Sequence, residues 1–318
     1  MEQNVRVSVV CNVYNHAPYL RSALDGFVMQ QTDFPFEVLI HDDASTDGSQ
    51  DIIREYEEKY PDIIKPIYQT ENQYSQKIPI NLTYQIPRIK GKYVAVCEGD
   101  DYWTDPLKLQ KQHDFLATHP DYSMCVCSTL WLDMRTGKMS KKSFTTEDRD
   151  VPIDEIILEI KGRPFQYGSF FAIKEVFTDR PEWMGLFGVG DTPMALHAAI
   201  RGKVRFLADV MTVYRNNAAG SWTSRVAKNA SFKVASFQKM IGGYEAFNKA
   251  TDFQYDEAVS LRIKRLGYFI ARAKRDLKAM RSGALREVYL SRSRKARMMD
   301  VLACKAPALN ELVLRLFR

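Results

Sequence analysis

No apolar run in this sequence approaches the roughly 18–20 consecutive residues that carry a helix across a bilayer, which excludes a helical membrane span. No secretory leader pattern is visible either, because Met1–Arg6 runs straight into a strand pattern. Internal repeats and low-complexity segments are also lacking. The five cysteines (Cys11, Cys97, Cys125, Cys127, Cys304) are scattered, and four of them lie in apolar, strand-like runs. Cys125-Val126-Cys127 lacks the two-residue spacer of common zinc knuckles, and His16, His41, His113, His119 and His197 form no ligand spacing of their own. Buried thiols in a reducing cytosol are therefore expected. Acid is scarce at the far end: Leu261 to Arg318 holds 16 Lys+Arg against 4 Asp+Glu, so that segment is near +12. With a total of +6, the first 260 residues are near −6. An acidic body with a basic tail implies cation-dependent chemistry in front and an anionic surface partner behind.

What is present is a regular alternation. Val5–Cys11 reads as a strand, Asn12–Pro18 as a turn, and Pro18 to about Gln30 as a helix with proline in its first turn. Glu37–His41 is a second strand, followed by a polar helix that stops at Pro61. Ile63–Tyr68 and Lys92–Cys97 are further strands, with Ile80–Ile89 as a short helix between them. A helix from Pro106 to about Thr118 and a strand over Tyr122–Leu132 come next. Strands and helices at this spacing imply βαβ units and a mostly parallel sheet. After Asp133 the regularity loosens. Arg135–Asp150 reads as a polar loop, Ile153–Ile160 as helix, Ser169–Ile173 as strand and Asp191–Arg201 as helix. Val204–Leu207 and Val210–Tyr214 read as two short strands, and mostly helices follow from Ser224.

Two acidic segments sit at strand ends. Glu98-Gly99-Asp100-Asp101-Tyr102-Trp103 follows the Lys92–Cys97 strand, with three carboxylates in four residues. An ionised carboxylate loses several kcal/mol on desolvation, so such a group needs a cation or water. A divalent metal carrying a diphosphate is one reading, and an acidic turn capping the next helix is the other. His41-Asp42-Asp43-Ala44-Ser45-Thr46-Asp47-Gly48 ends the second strand. Its calcium-loop look fails, because the twelfth position is Arg54 and a strand precedes it. Ser45 or Thr46 could cap the following helix, with Asp47 favoured by its dipole. That leaves Asp42 and Asp43 at the strand tip, where a carboxylate can accept a pyrimidine imide N–H or hold a ribose hydroxyl.

Taken together, Val7–Val10 with Tyr14-Asn15, Asp42–Ser49 and Glu98–Asp101 resemble the family 2 glycosyltransferases in order and spacing over about residues 5–215. The resemblance implies a GT-A fold, Rossmann-like α/β with a mostly parallel central sheet flanked by helices, here with a helical C-terminal extension. It implies a catalytic domain over 1–223 (nucleotide-binding half 1–103, acceptor-binding half 104–223) and a basic helical region over 224–318. It also implies a nucleotide-sugar donor, UDP before others, a Mn2+ or Mg2+ ion, and inversion at the anomeric carbon. Val13, Tyr14, Asn15, Asp42, Asp43, Ser45, Asp47, Glu98, Gly99, Asp100 and Arg215 would bind the nucleotide, and Asp100 the metal. Glu98 stands where the family's Asp-x-Asp motif has its first acid. Asp101 and Trp103 would face the acceptor, although an aromatic after a turn is also a common core residue.

Asp191, in Gly188-Val189-Gly190-Asp191-Thr192-Pro193, resembles the family's catalytic acid in position and would take the acceptor's proton; as plain sequence it also reads as a helix cap. In Tyr214–Trp222, Asn217 stands where the family often has a histidine, so Arg215 toward phosphate is the stronger assignment there. The Gln-x-x-Arg-Trp signature of processive synthases is absent, which implies one sugar per encounter.

In the tail, Leu261, Ile263, Leu266, Phe269, Ile270, Ala273 and Leu277 recur at helical spacing opposite Arg262, Lys264, Arg265, Arg272 and Arg275, and Ala303–Leu316 adds a second apolar stripe. A basic amphipathic helix can lie on an anionic membrane, or its apolar face can pack on protein. The expectation is an enzyme of the cytoplasm or the inner face of its membrane, acting on a glycan or lipid-linked glycan, without nucleic-acid binding. Two other readings stand beside it: a sugar nucleotidyltransferase, disfavoured because Asn12–Pro18 has no glycine, and a non-catalytic, membrane-associated nucleotide-sugar-binding protein.

Overall fold

A computed structural model describes residues 4–141, 145–159, 166–218, 223, 226, 229–306 and 309. The chain forms two compact units: Met1–Arg180 with Met194–Ala218, and Pro181–Pro193 with Ala219–Arg318.

The first unit is built on one sheet. Its strands are β1 (Val7–Val13), β2 (Phe36–Asp42), β3 (Ile64–Tyr68), β4 (Tyr93–Val96), β5 (Tyr102–Trp103), β6 (Tyr122–Asp133), β7 (Met139–Lys141), β8 (Arg149–Asp150), β9 (Phe171–Ile173) and β10 (Lys203–Asn216). The order across the sheet is β3-β2-β1-β4-β9-β6-β10-β5, with β7 added to β6 and β8 to β10. β3, β2, β1 and β4 run parallel, as does β6 with β10, while β9 is antiparallel to both its neighbours. Helices connect the parallel strands: α1 (Ala17–Val28), α2 (Ser49–Lys59) and α3 (Lys108–Thr118), followed by the shorter α4 (Ile153–Leu158) and α5 (Glu175–Thr178), and by α6 (Asp191–Arg201).

The central strands read as continuous apolar runs because both faces are covered. Val7, Val9, Cys11 and Val13 of β1 pack with Leu20, Ala23, Leu24 and Phe27 of α1. Gly26 is needed there, since a Cβ would lie 2.9 Å from the backbone N and O of Trp103. All five cysteines are free thiols, and four are buried. Burial pushes the Cys127 thiol up to about 11, which keeps it protonated and inert.

Several local readings change. Ile80–Ile89 is a π turn over Asn81–Gln85 followed by a 3-10 turn over Ile86–Arg88. The two short strands after residue 203 are one strand, β10, irregular near 207–212 where its register to β6 shifts. The polar segment expected to be a loop contributes β7 and β8, while 142–144 lie outside the described residues. α2 begins after Gly48 (φ 92°) with no side-chain cap, so neither Ser45 nor Thr46 caps it.

The second unit holds a short 3-10 segment, Glu182–Phe187, and helices α7 (Ala230–Ala250), α8 (Asp256–Ala273), α9 (Leu277–Met280), α10 (Leu285–Ser291) and α11 (Arg294–Lys305). Trp183, Phe187, Tyr244 and Phe247 interlock edge to face. A Cβ on Gly243 would come within 2.3 Å of the Phe187 ring, so only glycine lets α7 approach it. Asp300, fully buried, accepts from Tyr268 Oη at 2.6 Å, Arg272 Nε at 2.6 Å and Arg292 Nε at 2.7 Å, tying α8 to α11.

This packing revises the tail. No residue of α8 from Ala258 to Ala273 is exposed, and Arg262, assigned to a solvent face by its spacing, is buried with its guanidinium 5.7 Å from the Tyr244 ring. Most of the Ala303–Leu316 stripe lies outside the described residues, as do Ala219–Trp222 of the loop after β10. Among the described residues, no helix is long and apolar enough to cross a membrane.

Candidate functional site

The carboxyl ends of β1, β2 and β4 lie side by side, and the chain leaving each is pinned to the β1 tip. Val13 pairs with Asp42 across the β1–β2 ladder. The Asp43 N–H donates to the Val13 carbonyl at 2.9 Å. On the other side, the N–H groups of Cys97 and Gly99 donate to the carbonyls of Val10 and Asn12, each at 3.1 Å. The two acidic segments therefore flank β1, at the sheet edge where open α/β sheets bind ligands.

Asp42 is fully buried. Its Oδ1 accepts from the Ser45 N–H at 3.0 Å and from Gln50 Nε2 at 2.7 Å. Its Oδ2 is buried with no partner among the described residues. An unsatisfied buried acceptor costs about 1–3 kcal/mol, so this oxygen is set to receive a donor from a ligand. Gln50, in the first turn of α2, escaped sequence reasoning because only the fold brings it back over Asp42.

The neighbours of Asp42 hold the loops. Asp43 accepts from the N–H groups of Gln73 (2.7 Å) and Tyr74 (3.1 Å), clamping the loop after β3. Ser45 Oγ accepts from the Asn15 N–H at 2.9 Å, and Asn15 Oδ1 from the Thr46 N–H at 2.8 Å. Asn15 adopts φ 55°, a left-handed conformation that asparagine tolerates. Asp47 Oδ2 accepts from the Ala17 N–H at 2.9 Å and its Oδ1 from the Ser49 N–H at 3.0 Å, so this one carboxylate holds the first residues of both α1 and α2. Burial raises its pKa, but hydrogen bonds from Ser49 and Ala17 outweigh that and leave it lowered. Asp43, Ser45 and Asp47 thus shape the site with side chains already engaged, while Tyr14 stands 48% exposed beside the Asp42 loop. His41, fully buried, stacks on Tyr84 with ring centres 5.0 Å apart.

The second acidic segment divides by residue. Glu98 is half-buried, and its carboxyl is pushed up to about 8, by desolvation first and by Asp100 second, against hydrogen bonds from Asn12. Tyr167, its phenol raised by burial and by Glu98, and Arg180, lowered by burial, extend this polar group. Gly99 is packed so closely that a Cβ would sit 2.9 Å from His16 Nδ1. Asp101 is buried, with its carboxyl well above the usual range through desolvation and Asp100; its Oδ1 accepts from the Arg215 N–H at 2.7 Å. Arg215 Nη1 donates to the Asp100 carbonyl at 2.9 Å, and its guanidinium lies 4.4 Å from the Tyr102 ring. Asp101 and Arg215 therefore lock β10 to this loop and fix where Asp100 stands.

Trp103 is a core residue: 2% exposed, edge-on to Phe27 at 4.9 Å, and donating from Nε1 to the Gly168 carbonyl at 2.9 Å. Beneath it lies Lys108, fully buried, with Nζ 4.2 Å from the Trp103 ring and 2.7 Å from Gln112 Oε1. Burial lowers this lysine's pKa. Nothing in its sequence context signals a buried cation.

Among the described residues no three His, Cys, Asp or Glu side chains converge to hold a metal by themselves. The donor set nevertheless fits a hard cation of the Mg2+ or Mn2+ kind, which commonly takes one or two carboxylates from protein and its other ligands from phosphates and water. The mutual elevation of Glu98 and Asp101 by Asp100 is the repulsion that a cation relieves.

Val13, Tyr14, Asn15, Asp42, Asp43, Ser45, Asp47, Glu98, Gly99, Asp100, Asp101, Trp103 and Arg215 all belong to the first unit. Asp191 belongs to the second, at the start of α6, where its Oδ1 accepts from the Thr192 N–H at 2.8 Å.

Comparison with known proteins places these features in a wider set. The family described as Glycosyl transferase family 2 matches residues 8–179. An uncharacterized protein of Mycobacterium tuberculosis is 36% identical over 230 residues, 71% of this chain and 63% of its own. The chain thus spans less than two thirds of that relative's length. Residues 1–349 of S. aureus TarS, solved in complex with UDP, superpose with a TM-score of 0.54 at 15% identity, covering 95% of this chain and 81% of that fragment. A mannosyltransferase from Pyrobaculum calidifontis, solved with GDP-Man and Mn2+, gives 0.53 at 17% identity, covering 97% and 90%. At these identities the likeness is one of fold.

Proposed function

The chain belongs to glycosyl transferase family 2 and has a GT-A fold, and from this premise we propose that it moves a single sugar, with inversion, from a nucleotide-diphosphate sugar to a glycan or lipid-linked acceptor in surface-polysaccharide assembly. The observation that carries the donor reading is the buried, unpartnered Oδ2 of Asp42, one strand away from Asp100 across the β1 tip. An acceptor fixed in a buried carboxylate selects a ligand with a donor at that point, such as the imide N–H of uracil. UDP is accordingly the first choice of nucleotide. Tyr14 offers an exposed aromatic surface beside it.

Asp100 would hold Mn2+ or Mg2+, which when bound neutralises charge developing on the leaving diphosphate. The protein's own part is positional. Asp101 and Arg215 fix the loop that carries Asp100, and Asp47 fixes the entry of α1. Asp191 is proposed as the base that takes the acceptor hydroxyl's proton as it attacks the anomeric carbon. Attack by the acceptor oxygen on the face of the anomeric carbon opposite the departing diphosphate would form the new C–O bond as the old one breaks, which gives inversion.

The test is calorimetry and turnover on the same preparations, with a panel of nucleotide sugars and Mn2+. Asp100→Ala is expected to abolish metal-dependent nucleotide binding. Asp191→Asn should retain donor binding while transfer falls by about 100-fold or more. Unchanged metal-dependent binding in the first variant, or near-normal turnover in the second, refutes the corresponding assignment.

A further inference from the structure

The helices α9, α10 and α11 leave one face that nothing in the first unit's chemistry uses. On α11, Asp300 and Cys304 point inward: Asp300 holds Tyr268, Arg272 and Arg292, and Cys304 Sγ lies 3.8 Å from Met280 Sδ. The opposite side carries Arg294, Met298, Val301, Leu302 and Lys305, spaced i, i+4, i+7, i+8 and i+11 along one stripe. Met298 is 57% exposed, Arg294 and Lys305 are exposed, and Val301 and Leu302 are half-buried. Asp300 is the only acid of this helix, and it is buried.

Around the stripe the charge is one-sided. Lys274, Arg275, Lys278, Arg281 and Arg286 are exposed, against exposed Asp276 and Glu287. Asp276 caps α9 by accepting from the Ala279 N–H, and Glu287 faces Lys264 at 3.5 Å. The elements meet at Tyr289, whose hydroxyl accepts from Arg281 at 3.0 Å and whose ring lies 5.8 Å from the Arg297 guanidinium. Leu290, 48% exposed, adjoins this junction.

We propose that this face of the C-terminal helices is a docking surface for an anionic lipid bilayer, with Met298 and Leu302 entering the acyl boundary and Arg294 and Lys305 meeting the headgroups. Charge complementarity selects an anionic partner. The apolar centre of the stripe selects lipid over nucleic acid, because a phosphate backbone offers nothing to an exposed methionine between two cations. The placement deepens the reading of a lipid-linked acceptor and draws its purpose from it. Vesicle binding is measured without any transfer step, so it can fail while that reading stands, and the reverse.

The experiment is co-sedimentation of the full chain with vesicles of phosphatidylcholine alone and with phosphatidylglycerol added. Binding is expected only to the anionic vesicles. Arg294→Gln/Lys305→Gln should weaken it by about 25-fold, from about fivefold per basic residue at a charged surface. Met298→Asp should weaken it by more than about tenfold, through loss of the inserted side chain and through the negative charge it sets against the anionic surface. Both variants alter exposed positions and should keep the thermal midpoint. Equal binding to neutral vesicles, no binding, or unchanged binding by both variants overturns the proposal. Loss in the charge variant with none in Met298→Asp also overturns it, assigning the face to a polyanion such as duplex DNA.

Discussion

Glu98→Gln is a substitution whose effect on stability should depend on pH in a calculable way. In the folded protein desolvation, and after it the charge of Asp100, push the Glu98 carboxyl up to about 8 from an ordinary 4.5. A carboxyl with a raised folded-state pKa binds its proton more tightly folded than unfolded. Its contribution is therefore fully present below about 4.5 and is lost as pH rises to about 8. Each pH unit in that window removes about 1.4 kcal/mol, which accumulates to about 3 kcal/mol at pH 7 and about 5 kcal/mol above pH 8. Glutamine is nearly isosteric with the protonated acid and does not titrate. The two proteins should thus unfold alike near pH 4.5, and the variant should be the more stable by these amounts at higher pH. Urea unfolding across the range in EDTA, read as the difference between the two chains, cancels the titrating groups that do not interact with Glu98. A difference that stays constant with pH would refute the elevation and the repulsion by Asp100 behind it.

Two further outcomes concern the second unit. Gly243→Ala drives a Cβ into the Phe187 ring and should cost about 1–3 kcal/mol in thermal unfolding, partly restored by Phe187→Leu. Its neighbour Gly242 has open space around it, so Gly242→Ala should stabilise the same helix by up to about 1 kcal/mol; equal effects at the two positions would contradict the packing. Asp300→Ala leaves Arg272 and Arg292 without their buried acceptor and should cost about 3–5 kcal/mol. Limited proteolysis should then cut first within residues 274–305, and an unchanged cleavage pattern would dismiss Asp300 as the hub.

Much of the first unit could be read from its residues. β1, β2 and β4 are largely apolar runs, and β2 and β4 end in acids, a pattern that both places the strands and marks the edge where a ligand would bind. Less legible was which member of each acidic cluster stays available. Asp42 and Asp43 are adjacent and chemically identical, yet Asp43 is engaged by the backbone of residues 73 and 74 while Asp42 keeps one oxygen without a partner. That distinction depends on a loop thirty residues away. Asp47 was readable as an acid favoured at the start of α2, where it accepts from the Ser49 N–H, but its second bond, from the Ala17 N–H of the preceding helix, was not. The stripe along α8 was equally ambiguous: its periodicity fits a membrane-facing helix and a packed one alike, and the packing decides, burying even Arg262. On α11 the same kind of stripe faces outward.

The helix α1 has a mechanical consequence. One end is tied through the Ala17 N–H to Asp47, in the loop that begins at Asp42, and the other rests on the backbone of Trp103 at Gly26. Twelve residues of helix span about 18 Å with little give along the axis. The two acidic loops are therefore braced against a common rod. On the proposed donor reading, a base seated against Asp42 would press on the same strut that supports the loop of Asp101, and the length of one helix would gauge the span between the two loops.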